Sequence, residues 1–159
     1  MFASQGYNET REKNYELVIN QLKAIIYDEK NVIANMANAS ALLNQFLEHI
    51  NWVGFYMMEE KELVLGPFQG LPACIRIPLG RGVCGTAAKT KKTIVINDVH
   101  QFPGHIACDA ASNSEIVVPM IKNGEVIGVL DIDSPNLARF DEIDQHYLEL
   151  FVDVLTYQM

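Results

Sequence analysis

The segment Asn51-Trp-Val-Gly-Phe-Tyr-Met-Met58 marks the change from helical to extended chain and so decides the fold class. Its aromatic and β-branched residues are typical of a strand. Lys61-Glu62 predicts a turn and Leu63 to Phe68 a second strand, which together give a hairpin. Because helical periodicity precedes this hairpin, the chain is predicted to be α+β.

Two helices are predicted before the hairpin. Apolar residues recur at intervals close to 3.6 from Asn14 to Tyr27 and again from Val32 to His49, which is the spacing of one helix face. After the hairpin, Arg76-Ile-Pro-Leu-Gly80 predicts a short strand, and a third helix is predicted to begin near Gly82. Thr93 to Ile96 predicts a further strand.

The last third of the chain contains a long irregular segment and a second hairpin. Residues 97–113 have the composition of a loop, and loops of this length inside a compact domain are usually functional. Glu115 to Lys122 and Val126 to Asp133 are predicted strands joined by Asn123-Gly124, a strong signal for a tight turn. A closing helix is predicted over about 141–157.

This order of elements predicts an α+β architecture with a mainly antiparallel sheet of five or six strands and helices packed on one face. Asp141 is the expected N-cap of the closing helix, with Asp144 in its first turn. Both positions favour a carboxylate, since it accepts hydrogen bonds from the unpaired amides at a helix start.

Composition and charge exclude several classes of function. The 159 residues are 49% hydrophobic and 20% charged, as in a globular protein, and the formal net charge is −8. An acidic surface repels phosphate groups, so we expect neither nucleic-acid nor membrane binding. No apolar run is long enough to cross a bilayer, and Met1 to Thr10 does not resemble a signal peptide. We therefore expect a cytoplasmic protein whose thiols are kept reduced.

Cys108 is the first candidate for chemistry. It lies in Phe102-Pro-Gly-His-Ile-Ala-Cys-Asp-Ala-Ala-Ser-Asn-Ser-Glu115, where loop-forming residues hold a side chain at a surface or in a cleft. Cys74 and Cys84 are candidate partner thiols, although Cys74 equally fits an ordinary buried cysteine. The spacing C-x9-C-x23-C lacks the C-x2-C pair of structural zinc sites, so we expect no metal. No phosphate-binding glycine motif is present, so we expect no organic cofactor.

Local electrostatics and loop setting favour different nucleophiles. Cys84 is predicted at a helix N-terminus, which stabilises a thiolate and lowers its pKa. Cys108 is next to Asp109, which disfavours the thiolate unless His105 is close. Cys108 is nevertheless our choice, because an exposed cysteine can meet both a substrate and a partner thiol.

Three acids and two aromatic residues are candidates for a binding pocket. Asp131 and Asp133 point to one face of a strand, and Glu115 joins them if it lies on the neighbouring strand of the hairpin. Close carboxylates raise the pKa of at least one of them, which provides a proton donor near neutral pH. The alternative is two solvated aspartates at a strand end. Trp52 and Tyr56 also share a strand face and fit either a pocket wall or the core.

Five motifs together resemble the free methionine-(R)-sulfoxide reductases, which are single GAF domains that act as enzymes. The resemblance covers about residues 15–154, and the segment around Cys108 is its most specific part. The matching motifs are Asn51-Trp-Val-Gly-Phe-Tyr56, Leu65-Gly-Pro-Phe-Gln-Gly70, Gly80-Arg-Gly-Val-Cys-Gly85, Phe102 to Pro119, and Val129-Leu-Asp-Ile-Asp-Ser134.

The resemblance implies a GAF-like fold, with six strands in a mainly antiparallel sheet flanked by N- and C-terminal helices. We expect a single domain over residues 1–159, with the N-terminal helices at about 9–49, the sheet and active-site loop at about 50–135, and the C-terminal helix at about 141–157.

The resemblance also implies residue roles. Cys108 matches the nucleophile that becomes a sulfenic acid, and Cys84 and Cys74 match the cysteines that resolve it as a disulfide. We expect a Cys84–Cys108 link first. Trp52 and Tyr56 match the pocket wall around the substrate methyl and sulfur. The residues that match the acids binding free methionine sulfoxide and assisting its oxygen are Glu115, Asp131 and Asp133, with either Asp131 or Glu115 as proton donor.

The activity implied is the thiol-dependent reduction of free L-methionine-(R)-sulfoxide to L-methionine, recycled by thioredoxin and connected with oxidative stress. Segment 97–113 is expected to close over the substrate, which would exclude peptide-bound methionine sulfoxide. The alternative is a GAF domain that binds a small molecule or senses redox state without catalysis. Sensing GAF domains are usually attached to an output domain, and we expect none in this sequence, which argues against that alternative. The N-terminal helices also suit a homodimer contact, with or without catalysis.

Overall fold

A computed structural model describes residues 6–159 of the chain. The segment Met1 to Thr10, for which no signal peptide is predicted, lies partly outside these residues. The helices are α1 (Arg11–Ile26), α2 (Val32–Phe46), α3 (Gly82–Thr90) and α4 (Glu142–Gln158). The strands are β1 (Trp52–Glu59), β2 (Glu62–Gly70), β3 (Arg76–Pro78), β4 (Ile94–Ile96), β5 (Ser114–Lys122) and β6 (Glu125–Ser134). One 3-10 turn, Val99–Gln101, interrupts the segment 97–113.

The six strands form one sheet in the order β3-β2-β1-β6-β5-β4. Each of these neighbouring pairs is antiparallel, which confirms the predicted GAF-like sheet. Asn123 and Gly124 have φ values of 52° and 78°. This left-handed pair forms the tight turn predicted between β5 and β6. The register that begins at the turn shifts by one residue between Met120 and Ile121. The turn between β1 and β2 falls at residues 60–61, one residue earlier than predicted.

Consecutive residues are buried along the central strands β1, β5 and β6. Because successive side chains of a strand point to opposite faces, the sheet is apolar on both faces. On one face, Phe55, Ile116 and Leu130 belong to a core shared with α1, α2 and α4. On the other face, Val117 and Val129 pack with residues of α3. The prediction that the helices pack on one face is therefore wrong for α3. One helical layer cannot cover a sheet that is apolar on both sides.

The helix ends follow from local capping. α1 begins three residues earlier than predicted because the Thr10 hydroxyl caps it, accepting from the Lys13 amide at 3.3 Å. α2 ends at Phe46 rather than His49, and His49 has a φ of 57°, outside the helical region. Asp141 caps α4 as predicted and forms a reciprocal capping box with Asp144.

Asp144 also joins the first and last helices. Its carboxylate accepts a 2.6 Å hydrogen bond from the Tyr15 hydroxyl and a 3.1 Å bond from Arg139. The Arg11 guanidinium lies 3.1 Å from the same carboxylate. These bonds hold α1 against α4 on the face of the sheet opposite α3. Among residues 6–159, no helix combines the length and apolar character needed to cross a bilayer.

Candidate active site

A cavity lies on the α3 side of the sheet, where three acidic side chains project from neighbouring strands. Glu115 of β5 is directly opposite Asp133 of β6, and Asp131 is two residues before Asp133 on the same strand face. All three line the cavity. The structure therefore brings together the three acids that the sequence placed in one group, because the register of the β5–β6 hairpin aligns them.

Trp52 and Tyr56 form an aromatic wall of this cavity. Their rings stack with centroids 6.0 Å apart, and Trp52 stacks on Phe68 at 5.2 Å. The Trp52 indole donates to the Leu71 carbonyl at 3.1 Å, and the Tyr56 hydroxyl donates to the Cys74 carbonyl at 2.9 Å. Both aromatic residues are buried, so they belong to the core and to the cavity wall at once.

The cysteines divide into a bonded pair and a free thiol. Cys74 and Cys108 form a disulfide, with their Cα atoms 5.6 Å apart and 34 positions apart in sequence. Cys84 is free and buried, and its sulfur lies 4.0 Å from a Glu115 oxygen. This structure therefore contains a Cys74–Cys108 bond in place of the expected Cys84–Cys108 link, and which bond forms first after turnover stays a prediction. Cys108 and Cys84 line the cavity, and Cys74 reaches Cys108 from the loop that follows β2.

Burial also reverses the prediction for the Cys84 thiol. A helix N-terminus alone lowers a cysteine pKa. Here burial raises the pKa of Cys84 well above its usual value, and the carboxyl groups of Asp131 and Glu115 add to the increase. A low-dielectric site next to carboxylates disfavours a second negative charge. Cys84 is therefore poorly suited to be the attacking thiolate.

The three acids have raised pKa values for the same reason. Burial is the largest cause for Glu115, Asp131 and Asp133. Repulsion between neighbouring carboxyl groups raises each pKa further. Carboxyl groups this close to one another do not all ionise at neutral pH, because their negative charges repel. The cluster can therefore hold a proton and a negative charge at the same time.

Three polar residues that were not among the predicted site residues line the cavity, and a fourth, Asn51, bonds to two of them. Asn51 donates to the Asp109 carboxylate at 2.9 Å and to the Ser112 hydroxyl at 3.1 Å. The His105 imidazole lies 3.6 Å from a Glu115 oxygen. His105, Asp109 and Ser112 line the cavity. The sequence signal for His105, Asp109 and Ser112 was their position in the loop-forming stretch around Cys108. Asn51 directly precedes β1, and spacing gave no reason to select any of the four.

The segment that carries Cys108 is seated on α3 and tied to the sheet. Gly82, at the start of α3, has a φ of 60°, and a β-carbon there would lie 3.1 Å from the Ile106 side chain. The Asn113 amide donates to the Ser134 carbonyl at 2.7 Å, and the Val99 amide donates to the Asn113 carbonyl at 2.9 Å. These contacts place Cys108 over the acidic cluster.

Comparison with known proteins gives a consistent result. A family model described as GAF domain matches residues 37–156. A protein of Escherichia coli named free methionine-R-sulfoxide reductase is 55% identical over 129 residues, which are 81% of this chain and 78% of that protein.

Two solved structures extend the comparison. The reduced form of fRMsr of Staphylococcus aureus is 54% identical with a TM-score of 0.89, and the match covers 98% of this chain and 99% of that one. Free methionine-R-sulfoxide reductase from Neisseria meningitidis, in complex with its substrate, is 44% identical with a TM-score of 0.94. That match covers 99% of this chain and 95% of the other. The identities and coverage, together with the cysteine and acid motifs, show that this chain belongs to the free methionine-(R)-sulfoxide reductase family of GAF-domain proteins.

Proposed function

We propose that this protein reduces free L-methionine-(R)-sulfoxide to L-methionine, with Cys108 as the nucleophile. The observation that carries the proposal is the position of Cys108 on the wall of a cavity that three protonatable carboxyl groups also line. Such a cavity joins a sulfur nucleophile to proton donors, and both are needed to remove oxygen from a sulfoxide. The similarity to proteins named free methionine-R-sulfoxide reductase supports the same activity.

In the first step, the Cys108 thiolate attacks the sulfoxide sulfur, and the oxygen passes from that sulfur to Cys108. A protonated carboxylic acid, Asp131 or Glu115, gives one proton to that oxygen. The products are methionine, a Cys108 sulfenic acid and the ionised carboxylate. The raised pKa values of these two acids support the role, because they keep the proton available near neutral pH.

In the second step, the Cys74 thiol condenses with the sulfenic acid, forming the disulfide and releasing water. The Cys74–Cys108 bond of this structure supports Cys74 as the resolving residue. Cys84 is the other candidate resolving thiol, although its burial among carboxyl groups makes it the weaker one. A thioredoxin dithiol then restores both cysteines by exchange and becomes oxidised itself.

Recognition of a free amino acid follows from the charge and shape of the cavity. An ionised Asp133 suits the substrate ammonium group, and the aromatic wall of Trp52 and Tyr56 suits the methyl group and sulfur. A peptide-bound methionine sulfoxide lacks the free ammonium group, and its chain would have to leave a site covered by segment 97–113. We therefore propose specificity for the free amino acid.

The same proposal includes the setting of the protein. We propose one GAF domain over residues 1–159, acting in the cytoplasm, where thioredoxin supplies reducing equivalents. A homodimer formed through the N-terminal helices is compatible with this activity.

The test is turnover of free methionine-(R)-sulfoxide with thioredoxin, thioredoxin reductase and NADPH, followed by methionine formation. We expect turnover with the R epimer of the free amino acid and little with the S epimer or with an N-acetylated methionine amide sulfoxide. Cys108→Ser should lose turnover, whereas Tyr157→Phe, an exposed change, should retain it. Equal turnover in Cys108→Ser and wild type, or none in wild type, would favour a sensing GAF domain instead. Dithiothreitol in place of thioredoxin separates loss of catalysis from a wrong choice of reductant.

A further inference from the structure

The cavity contains three potential metal-ligand atoms, and the proposed reaction does not require all of them. One sulfur from Cys84 and one oxygen each from Glu115 and Asp131 lie within 4.8 Å of one another, and all three residues are buried. Zinc binds both thiolate and carboxylate ligands. The three side chains come from α3, β5 and β6, so the framework of the fold holds them in place.

A second observation concerns Asp131. Its Oδ1 atom is buried, and no donor among the described residues meets hydrogen-bond geometry at that atom, although the Cys84 thiol and the Glu115 carboxyl group are close enough to shift the pKa of Asp131. The residue is only 7% exposed and lines the cavity. A buried carboxyl oxygen without a partner is energetically unfavourable, and a bound cation would satisfy it.

The sulfur–oxygen distance between Cys84 and Glu115 is close to that around a tetrahedral ion. With a Zn–S bond of about 2.3 Å and a Zn–O bond of about 2.1 Å, sulfur and oxygen ligands are separated by about 3.6 Å. The Cys84 sulfur lies 4.0 Å from Glu115 Oε1, so a small side-chain movement reaches that value. The other oxygen of Glu115 faces the His105 imidazole at 3.6 Å, slightly beyond hydrogen-bond distance, and hydrogen bonds from such outer partners orient metal-binding carboxylates.

We propose that Cys84, Glu115 and Asp131 form a binding site for a divalent metal ion of the zinc class, with a fourth position open to the cavity. Mg²⁺ and Ca²⁺ prefer six or more oxygen ligands and are expected to bind poorly beside a thiolate. Binding releases the Cys84 proton and any carboxyl protons to solvent, since the ligands must be ionised. The ion occupies the space proposed for the substrate and therefore competes with it.

This site differs from the zinc site excluded on sequence grounds. That argument concerned three cysteines as a structural ligand set, whereas here one cysteine acts with two carboxylates from a neighbouring hairpin. The Cys74–Cys108 disulfide leaves Cys84 free. The site is therefore expected in the oxidised protein, and its test needs neither substrate nor reductase activity.

The experiment uses the oxidised full-length protein. Titration with Zn²⁺ in a calorimeter, in two buffers of different ionisation enthalpy, should show one ion bound and protons released. Cys84→Ser and Asp131→Asn should each weaken Zn²⁺ binding at least about tenfold, the lower end of the loss seen when outer partners of a metal are removed. Asp153→Asn changes an exposed carboxylate and is the matched control, and Mg²⁺ should give no binding.

A second measurement avoids dependence on variants that fold poorly. X-ray absorption of the Zn²⁺-loaded wild-type protein should show one sulfur at about 2.3 Å together with oxygen ligands. A first shell without sulfur, Zn²⁺ affinity unchanged in folded Cys84→Ser, or no binding by the wild type would each overturn the proposal. Because no turnover is measured, these results are independent of the reductase activity.

Discussion

The phenolic hydroxyl of Tyr56 donates a 2.9 Å hydrogen bond to the main-chain carbonyl of Cys74. This bond joins a buried residue of β1 to the loop after β2, which carries one half of the disulfide. It helps to hold the Cys74 sulfur within reach of Cys108. The strand that lines the cavity therefore also positions the proposed resolving thiol.

Tyr56→Phe should slow formation of the Cys74–Cys108 bond. The change removes the donor and leaves a carbonyl unpaired, at a cost of about 1 kcal/mol. If the hydrogen bond contributes this free energy in the transition state of disulfide formation, its loss lowers the rate of that step roughly fivefold. Acid-quenched alkylation and mass spectrometry after addition of methionine sulfoxide would measure the rate. Tyr157→Phe changes a tyrosine that is 89% exposed and should behave as wild type; an unchanged rate in Tyr56→Phe would contradict the expectation.

The identity of the resolving cysteine can be read from single-turnover products. Cys84→Ser should still give a Cys74–Cys108 disulfide, whereas Cys74→Ser should accumulate a Cys108 sulfenic acid that a dione reagent traps. The reason is the 5.6 Å Cα separation of the bonded pair. Peptide mapping distinguishes the products. A predominant Cys84–Cys108 peptide from the wild-type protein would show that Cys84 resolves the intermediate.

The acidic cluster should make stability depend on pH. Burial and mutual repulsion raise the folded-state pKa of Asp131, Glu115 and Asp133 above the unfolded value of about 4. Between these values the unfolded chain binds fewer protons than the folded one, so the free energy of unfolding falls as pH rises. The Asp131→Asn protein lacks one of these carboxyl groups, so its free energy of unfolding should fall less than that of wild type as pH rises. Its stability relative to wild type should therefore rise between about pH 4 and about pH 8, on the order of 1 kcal/mol or more.

Urea unfolding at the two pH values measures this difference. Asp153→Asn removes an exposed carboxylate and is the appropriate comparison, because its curve should run parallel to that of wild type. Parallel curves for Asp131→Asn as well would mean that this carboxyl group titrates normally in the folded protein.

Removing Asp144 should strongly destabilise the helical layer. Its carboxylate is buried and bonded to Tyr15 and Arg139, with Arg11 beside it. Loss of one partner from a buried ionic group costs about 3–5 kcal/mol, and we expect Asp144→Ala to fall near the lower end because Arg11 is half exposed. Denaturant unfolding gives the value. Glu142→Ala, an exposed change in the same helical turn, should cost far less; equal costs would indicate that the ionic network contributes little.

The acidic group illustrates how far sequence reasoning extends. Alternation along β6 places Asp131 and Asp133 on one face. The Asn123-Gly124 turn pairs Lys122 with Glu125, and this register alone would place Glu115 opposite Ile132. A one-residue shift between Met120 and Ile121 places Glu115 opposite Asp133 instead. Local rules therefore predict the pair Asp131 and Asp133, whereas the register shift that brings Glu115 to the same face is seen only in the structure. The catalytic and binding roles of these residues stay predictions.

The cysteines show where local rules end. Cys74 meets Cys108 because the loop after β2 passes beside the segment 97–113, a contact between distant parts of the chain. The pKa of Cys84 depends on burial by two other strands, whereas its sequence neighbours indicate only a helix start. Packing of α3 on the second sheet face buries Cys84, and helix periodicity does not show which face a helix covers.

The edges of the sheet have a consequence for handling the protein. The outermost strands, β3 and β4, contain three residues each, and β3 ends in a proline that has no amide proton. Short edges offer few unpaired main-chain groups to another molecule. The long strands that line the cavity lie between these edges, so the folded protein should resist edge-to-edge aggregation even when it is concentrated.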